Sequence, residues 1–221
     1  MTLALGAAAD ALHAAYEDDD LLVLHKPAGL LCVPGRGPDK QDCLSARAQH
    51  RWPGALIVHR LDQATSGLVI MARHIAAQRS LSHAFAERHV HKQYHAVVQG
   101  LMGTADGVWE EIALPIAADW ERRPLRVIDP TLGKPSLTRW RVLEHDLATQ
   151  TTRVALEPVT GRTHQLRVHL AAVHHAILGD ALYADAATHA LSPRLLLHAC
   201  QLGFMHPVRA EKMVLEWAAD F

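Results

Sequence analysis

The chain has 221 residues and a formal net charge of −1. A chain of this length forms one domain or two closely packed lobes, and it buries roughly 70% of its unfolded surface without disulfides. Its apolar fraction of 49% and charged fraction of 20% exclude a disordered, collagen-like or coiled-coil protein. No apolar run approaches the ~18 residues that a membrane-spanning helix needs.

The cysteines and the N-terminal residues bear on the cellular compartment. Cys32, Cys43 and Cys200 form no C-x-x-C pair and leave an odd number, which argues against a disulfide framework or a zinc ribbon. Residues 1–9 carry no Lys or Arg, and acidic residues follow them, which is the opposite of a signal peptide. We therefore expect a soluble, cytoplasmic protein.

The charge is unevenly distributed along the chain. Five acidic residues precede the first lysine, whereas residues 21–210 hold 21 Lys and Arg against 15 Asp and Glu. Arginine accounts for 17 of the 22 basic residues, and its guanidinium suits bidentate phosphate contacts and stacking on bases. This balance alone favours a nucleic acid ligand only weakly, because codon bias in a GC-rich genome produces the same enrichment.

Hydrophobic periodicity and turn residues divide the chain into predicted elements. Residues 1–20 are expected to be a lead-in with a helical patch, and residues 21–221 a single catalytic domain in which residues 103–135 are rich in loops. The predicted strands are residues 21–25, 67–73, 93–99, 137–144, 152–157, 194–204 and 213–217. The predicted helices are residues 43–51, 74–89 and 163–173. This order lacks regular βαβ alternation and predicts an α+β fold with a mixed sheet.

One segment places charged residues immediately before a buried strand. It is HRLDQATSGL, residues 59–68, with Arg60 and Asp62 in a turn-forming stretch. A carboxylate at this position can act as a nucleophile or base. The alternative is that Asp62 caps a turn through the amides of Thr65 and Ser66.

A second segment combines a turn, a helix start and arginines. It is TGRTHQLRVH, residues 160–169, which turns at Gly161 and then opens a helix. Helix N-termini and flanking arginines attract anions, so Arg162 suits a phosphate or a carboxylate such as Asp62. An ordinary capped helix with a solvated arginine is the alternative.

Two further segments fit either a site or a core strand. Tyr94 alternates with apolar residues in the predicted strand 93–99, where it can present its ring to a flat base or simply pack in the core. Leu197 lies in RLLLHA, residues 194–199, for which a core strand is the simplest interpretation.

Taken in order, these segments resemble the RluA-type family of pseudouridine synthases, from about Leu22 to Phe221. Within that family, the chain is most similar to the short members that act on both ribosomal and transfer RNA and that lack an S4-type RNA-binding domain. The family motifs are KPAG (26–29), HRLDQATSGL (59–68), KQYHAVVQG (92–100), GRTHQLRVHL (161–170), ILGDALY (177–183) and RLLLHA (194–199). The motifs typical of the short members are VPGR (33–36), DWERRP (119–124), GKP (133–135) and the terminal ADF (219–221).

The resemblance implies an RNA-modifying isomerase. Its members convert specific uridines to pseudouridine in structured RNA, here in a stem-loop of 23S rRNA, in the anticodon stem-loop of tRNA, or in both. The implied fold is a bent, mainly antiparallel mixed sheet flanked by helices, with a central RNA-binding cleft. No cofactor, metal, membrane or obligate protein partner is implied.

The resemblance also implies roles for individual residues. Asp62 matches the catalytic aspartate and Arg162 the arginine that pairs with it. Tyr94 matches the tyrosine that packs against the target base, and Arg60 the arginine that fills the gap left by the flipped uridine. Further RNA contacts are expected at Leu197, Lys26, Arg122, Arg123 and Arg167.

Other classes of protein fit the sequence less well. The 17 histidines raise the hypothesis of a metal-dependent hydrolase, but there is no H-E-x-x-H, and the three histidines between residues 89 and 95 lack carboxylates at ligand spacing. A catalytically silent RNA-binding module would not need the acid, arginine and tyrosine together. The same chemistry at a different single uridine stays open, with Arg122, Arg123 and Arg126 as phosphate contacts that would help to decide it.

Overall fold

The computed structural model describes residues 12–221. Its helices are α1 (Leu44–Arg51), α2 (Ile75–Ala86), α3 (Gln165–Ala172) and α4 (Ala186–Ala190), with one 3-10 turn at Pro38–Lys40. Its strands are β1 (His13–Glu17), β2 (Leu21–Lys26), β3 (Leu56–Ile57), β4 (Ser66–Ala72), β5 (His91–Gln99), β6 (Glu110–Ile112), β7 (Ile116–Ala118), β8 (Arg126–Ile128), β9 (Thr138–Asp146), β10 (Thr151–Pro158), β11 (Leu197–Met205) and β12 (Lys212–Glu216).

The predicted α+β class is confirmed. All seven predicted strands and all three predicted helices occur, as β2, β4, β5, β9 to β12 and α1 to α3. The helical patch expected in the lead-in is wrong for residues 13–17, which form β1 by pairing with β2, while residues 1–11 lie outside the described part. Strands β6, β7 and β8 escaped prediction because three residues are too few to show an alternating pattern.

The described chain divides into two compact units. The first comprises the described residues up to Val90 together with Leu202–Trp217, and the second comprises His91–Gln201 together with Ala218–Phe221. Strand β11 is therefore shared: its first five residues belong to the second unit and its last four to the first.

The first unit is built on strands in the order β1-β2-β4-β11, with β3 on β4 and β12 on β11. The pairs β1–β2, β2–β4 and β3–β4 are antiparallel. Alternate residues of three strands fill one core with the inner face of α2, and every residue of β4 is buried. Each large apolar side chain buried in this way contributes about 1.5–3 kcal/mol. The fully or almost fully buried core members are Leu21, Val23, Leu68, Ile70, Ala72, Ala77, Leu81, Leu202 and Phe204.

The second unit is built on a sheet in the order β11-β5-β10-β9-β6, in which β5, β10, β9 and β6 pair in antiparallel fashion. Leu156 of β10 lies at its centre, opposite Tyr94 of β5 on one side and Trp140 of β9 on the other. Strands β7 and β8 form a separate antiparallel hairpin in which Ile116 pairs with Ile128. Helix α3 packs on β8, β9 and β10.

One close backbone approach in the second unit requires glycine. Gly179 has φ +73, in the left-handed region that glycine adopts without a steric penalty. A Cβ there would lie 1.9 Å from the carbonyl oxygen of Arg194 and 2.5 Å from its carbonyl carbon. No side chain can be accommodated unless the backbone moves.

We expect Gly179→Ala to destabilise the protein by about 3 kcal/mol or more, because a left-handed backbone and a backbone clash coincide. Gly107→Ala is the matched control: Gly107 has φ +75, but no atom lies within 4 Å of the position that its Cβ would occupy, so it should cost only about 1–2 kcal/mol. Urea unfolding of both variants measures the difference. Equal losses of unfolding free energy in the two variants would contradict a role for the clash with Arg194.

Candidate active site

The loop that carries Asp62 is fixed on both sides of that residue. Asp62 is half-buried and lies between β3 and β4. On its C-terminal side, the Thr65 N–H donates to the Asp62 carbonyl oxygen at 3.1 Å. On its N-terminal side, the buried Leu61 donates its N–H to the Cys32 sulfur at 3.2 Å. Since both contacts involve the backbone, the carboxylate is presented from a defined loop.

A buried lysine holds the same loop. Lys26, the last residue of β2, has no exposed surface. Its ammonium donates to the carbonyl oxygens of Pro27 at 2.9 Å, Leu30 at 2.8 Å and Gln63 at 3.0 Å. An ammonium has three N–H donors, so every one of them is used. Gln63 directly follows Asp62, and Lys26 therefore ties the candidate catalytic loop to the first sheet.

The electrostatics of Lys26 follow from its burial. Burial lowers the pKa of Lys26 to about 8, while the Cys32 sulfur and the Asp62 carboxylate act in the opposite direction. The side chain is therefore predominantly charged at neutral pH. In this structure the fully buried ammonium donates to three carbonyl oxygens, so Lys26 contributes to the position of the loop, and its expected RNA contact stays a prediction.

Arg60 and its neighbours alternate between solvent and core. Arg60 is exposed, whereas His59 is anchored by the Ile70 N–H, which donates to its Nε2 at 3.0 Å. The His59 ring also stacks on Phe85 with a centroid distance of 4.2 Å. An exposed guanidinium thus extends from a firmly held backbone, two residues before Asp62.

In the second unit, a buried glutamine shapes the turn of Arg162. Gln165 accepts hydrogen bonds at Oε1 from the Thr160 hydroxyl at 2.7 Å and from the Arg162 N–H at 3.1 Å. Its Nε2 donates to the Leu137 carbonyl at 2.9 Å and to the Thr138 hydroxyl at 3.0 Å. These bonds fix the backbone of Arg162 on β9, while its side chain is exposed. Gln165 was not predicted as a site residue, because its only signal in the sequence was its place in the motif GRTHQLRVHL.

Tyr94 lies on β5, half-buried and opposite Leu156 of β10. Its neighbour His95 has a lowered pKa because of burial and the Arg153 and Arg141 guanidiniums. The lowered pKa favours the neutral ring of His95, and the guanidiniums of Arg153 on β10 and Arg141 on β9 place positive charge beside it.

Two residues expected to contact RNA are buried. Arg167 is 4% exposed and forms a bidentate ion pair with Asp180, at 2.8 and 2.5 Å. Leu197 is 3% exposed at the start of β11. Both side chains are buried in this structure, and the RNA contacts expected of them stay predictions.

The arginines of the β7–β8 connection are exposed, as RNA contacts need to be. Arg122 forms an ion pair with Asp119 at 2.7 Å. The Arg123 guanidinium lies over the Trp120 ring, 4.0 Å from its centroid. The two units thus divide the predicted residues: Lys26, Arg60 and Asp62 belong to the first, and Tyr94, Arg122, Arg123, Arg162, Arg167 and Leu197 belong to the second.

Comparison with known proteins defines the class. A family model described as RNA pseudouridylate synthase matches residues 20–172. The chain therefore belongs to the RNA pseudouridylate synthase family, and it is an enzyme that isomerises uridine to pseudouridine in RNA. The resemblance seen in the sequence is confirmed.

Individual relatives agree with this class. The dual-specificity RNA pseudouridine synthase RluA of Escherichia coli (strain K12) is 45% identical over 206 residues, 93% of this chain and 92% of the relative. RluA of Haemophilus ducreyi is 43% identical over 210 residues, 95% of this chain and 94% of the relative. The solved structure of human RNA pseudouridylate synthase domain containing 1 is 31% identical with a TM-score of 0.80, covering 97% of this chain and 86% of that one. Within residues 12–221, no helix is both long and apolar enough to cross a membrane.

We expect Lys26→Met to lower the free energy of unfolding by about 2–4 kcal/mol, because buried carbonyl groups would lose their donor. Turnover should fall as well, since the loop of Asp62 loses its anchor. Lys40→Met, the same change at an exposed lysine, is the control and should alter neither quantity. Chemical denaturation and initial rates on a stem-loop transcript test this. Unchanged stability and turnover in Lys26→Met would contradict the anchoring role.

Proposed function

We propose that the enzyme modifies uridines in two kinds of RNA, a stem-loop of 23S rRNA and the anticodon stem-loop of tRNA, and that it works in the cytoplasm. The observation that carries this proposal is the 45% identity to a dual-specificity relative over 93% of the chain. The alternative substrate range is a single uridine in one of these RNAs.

Asp62 is the proposed catalytic carboxylate. The reaction breaks the bond between N1 of uracil and the ribose, turns the base, joins C5 to the ribose, and releases the C5 proton to water. A carboxylate can attack the sugar, add to the base or remove a ribose proton, and each route needs it ionised. The Asp62 carboxylate lies close enough to the buried Lys26 ammonium for the two charges to attract each other. Arg162 is the proposed partner of the carboxylate.

Arg60 and Tyr94 are the proposed residues that handle the extruded base. Taking a uridine out of a folded stem-loop costs a few kcal/mol. A guanidinium plane can replace part of the lost stacking, and the exposed Arg60 side chain is available for this. The Tyr94 ring would then provide a flat wall for the flipped uracil.

Tritium release from [5-³H]uridine transcripts tests the carboxylate and the substrate range together. We expect wild type to release tritium from both a 23S rRNA stem-loop and an anticodon stem-loop, and Asp62→Asn to bind both RNAs but to release none. Asp19→Asn, at an exposed acid of the same unit, serves as the matched control and should retain wild-type rates. Normal turnover by Asp62→Asn would contradict the assignment, and release from one transcript alone would reduce the range to a single RNA class.

We expect Arg60→Ala to lower the single-turnover rate by about tenfold or more on the stem-loop and less on an unstructured oligonucleotide. The reason is that only the structured RNA loses stacking when its uridine leaves. Arg79→Ala, at an exposed arginine of α2, controls for the loss of one positive charge. Equal losses on the two RNAs would rule out a role for Arg60 in base extrusion.

A further inference from the structure

The β7–β8 hairpin borders a cavity whose lining includes none of Asp62, Tyr94 and Arg60. Its volume is about 510 Å³, within the range of roughly 300–1,000 Å³ typical of small-ligand sites. Both strands of the hairpin contribute to its walls, together with the segment before β9 and the turn before α3. The lining side chains that matter below are Trp120, Arg126, Asp129, Lys134 and Arg162.

The charge of this cavity suits an anion. Among the described residues of the second unit, no carboxylate forms an ion pair with Arg126, Lys134 or Arg162. The one acid in the lining, Asp129, accepts the Thr131 and Leu132 N–H groups, both at 2.9 Å, through Oδ1. Arg162 is the proposed partner of Asp62, but Arg126 and Lys134 still outnumber the one carboxylate of the lining and leave it net positive for a phosphate.

The Trp120 side chain lines the same cavity. Trp120 is 73% exposed, the second largest exposure among the large hydrophobic residues described. The Arg123 guanidinium lies over its ring at 4.0 Å, and the turn itself is held by Asp119, which accepts the Arg122 N–H at 3.0 Å. An exposed indole backed by a guanidinium offers a π surface on which a nucleic acid base can stack.

The walls of the cavity are held rigidly. Lys134 and Ile116 exchange backbone hydrogen bonds at 2.9 and 3.0 Å. The Arg126 N–H donates to the Tyr183 hydroxyl at 2.9 Å, and that hydroxyl also lies 2.6 Å from Nδ1 of His164 in the turn before α3. The cationic side chains therefore extend from a preformed framework, which reduces the entropy lost on binding.

We propose that this cavity binds one unpaired nucleotide of the substrate RNA, distinct from the target uridine. Its base stacks on Trp120, and its phosphate lies beside Arg126 and Lys134. Arg162 lines the same cavity, which places this nucleotide next to a residue with a proposed role at the target. The proposal rests on the action of the enzyme on stem-loop RNA, and it deepens that function by adding a recognition element outside the target base.

Abasic substitution combined with Trp120 variants tests the stacking contact. We expect Trp120→Ala to weaken stem-loop binding about fivefold to 100-fold and Trp120→Phe to retain most of it. In a series of stem-loops with one abasic position each, one position should weaken wild type by a similar factor and leave Trp120→Ala unaffected. Leu191→Ala, at an exposed apolar residue of the same unit, is the control and should bind like wild type.

The salt dependence of binding tests the phosphate contact separately. Lys134→Ala should reduce the slope of log K against log[salt] by about 0.7, the value for one phosphate of a single strand, whereas Trp120→Ala should leave the slope unchanged. Wild-type affinity in both variants would overturn the proposal. Loss of affinity in Trp120→Ala that is the same for every abasic position would also overturn it, because no particular base would then be bound.

These outcomes are distinct from failure of the proposed function. If wild type releases no tritium from either stem-loop, the proposed substrates are wrong. If wild type releases tritium while Trp120→Ala and Lys134→Ala bind and react as wild type does, only the nucleotide-binding cavity is wrong.

Discussion

The loop of the candidate catalytic carboxylate depends on one buried ammonium. Removing the Lys26 charge from water is costly, and the three carbonyl groups around it offset that cost. Since those carbonyls belong to the turn after β2 and to the loop of Asp62, the same contacts that make the buried charge tolerable also join the two segments. The backbone that carries the Asp62 side chain is thereby held in place before any substrate binds.

In the second unit, the neutral side chain of Gln165 fixes a turn through hydrogen bonds to the backbone, as Lys26 does in the first unit. Gln165 is buried and uses both ends of its amide to fix the turn whose side chain, Arg162, remains exposed. In each unit, a buried polar residue holds the backbone beside or at a residue with a proposed catalytic role. The exposed side chains Arg60 and Arg162 are then free to adapt to RNA, while their backbone positions are constrained.

The sequence predicted the long strands and helices and the family. The first strand and the burial of particular side chains were not predicted, for physical reasons that the structure shows. Strands with clear alternation and the helices with an apolar face were found, because their patterns extend over several residues. β1 was missed because its alanines carry no strand signal. Motif membership could not separate surface from interior. Arg162 and Arg167 stand in the same motif, yet Arg162 is exposed and Arg167 is buried against a partner 13 residues away in the chain. Lys26, in another motif, is also buried, with one partner 37 residues away. Such burial is a tertiary property.

The divided course of the chain has a consequence for synthesis on the ribosome. The core of the first unit needs Leu202 and Phe204. These two residues are synthesised only after residues 91–201, which belong to the second unit. At translation rates of about 5–20 residues per second, this leaves the segment ending at Val90 waiting roughly 6–22 s for its last core strand. The second unit has nearly all of its own residues by then. Both units therefore receive their last residues only near the end of translation, and the core of the first unit is completed late.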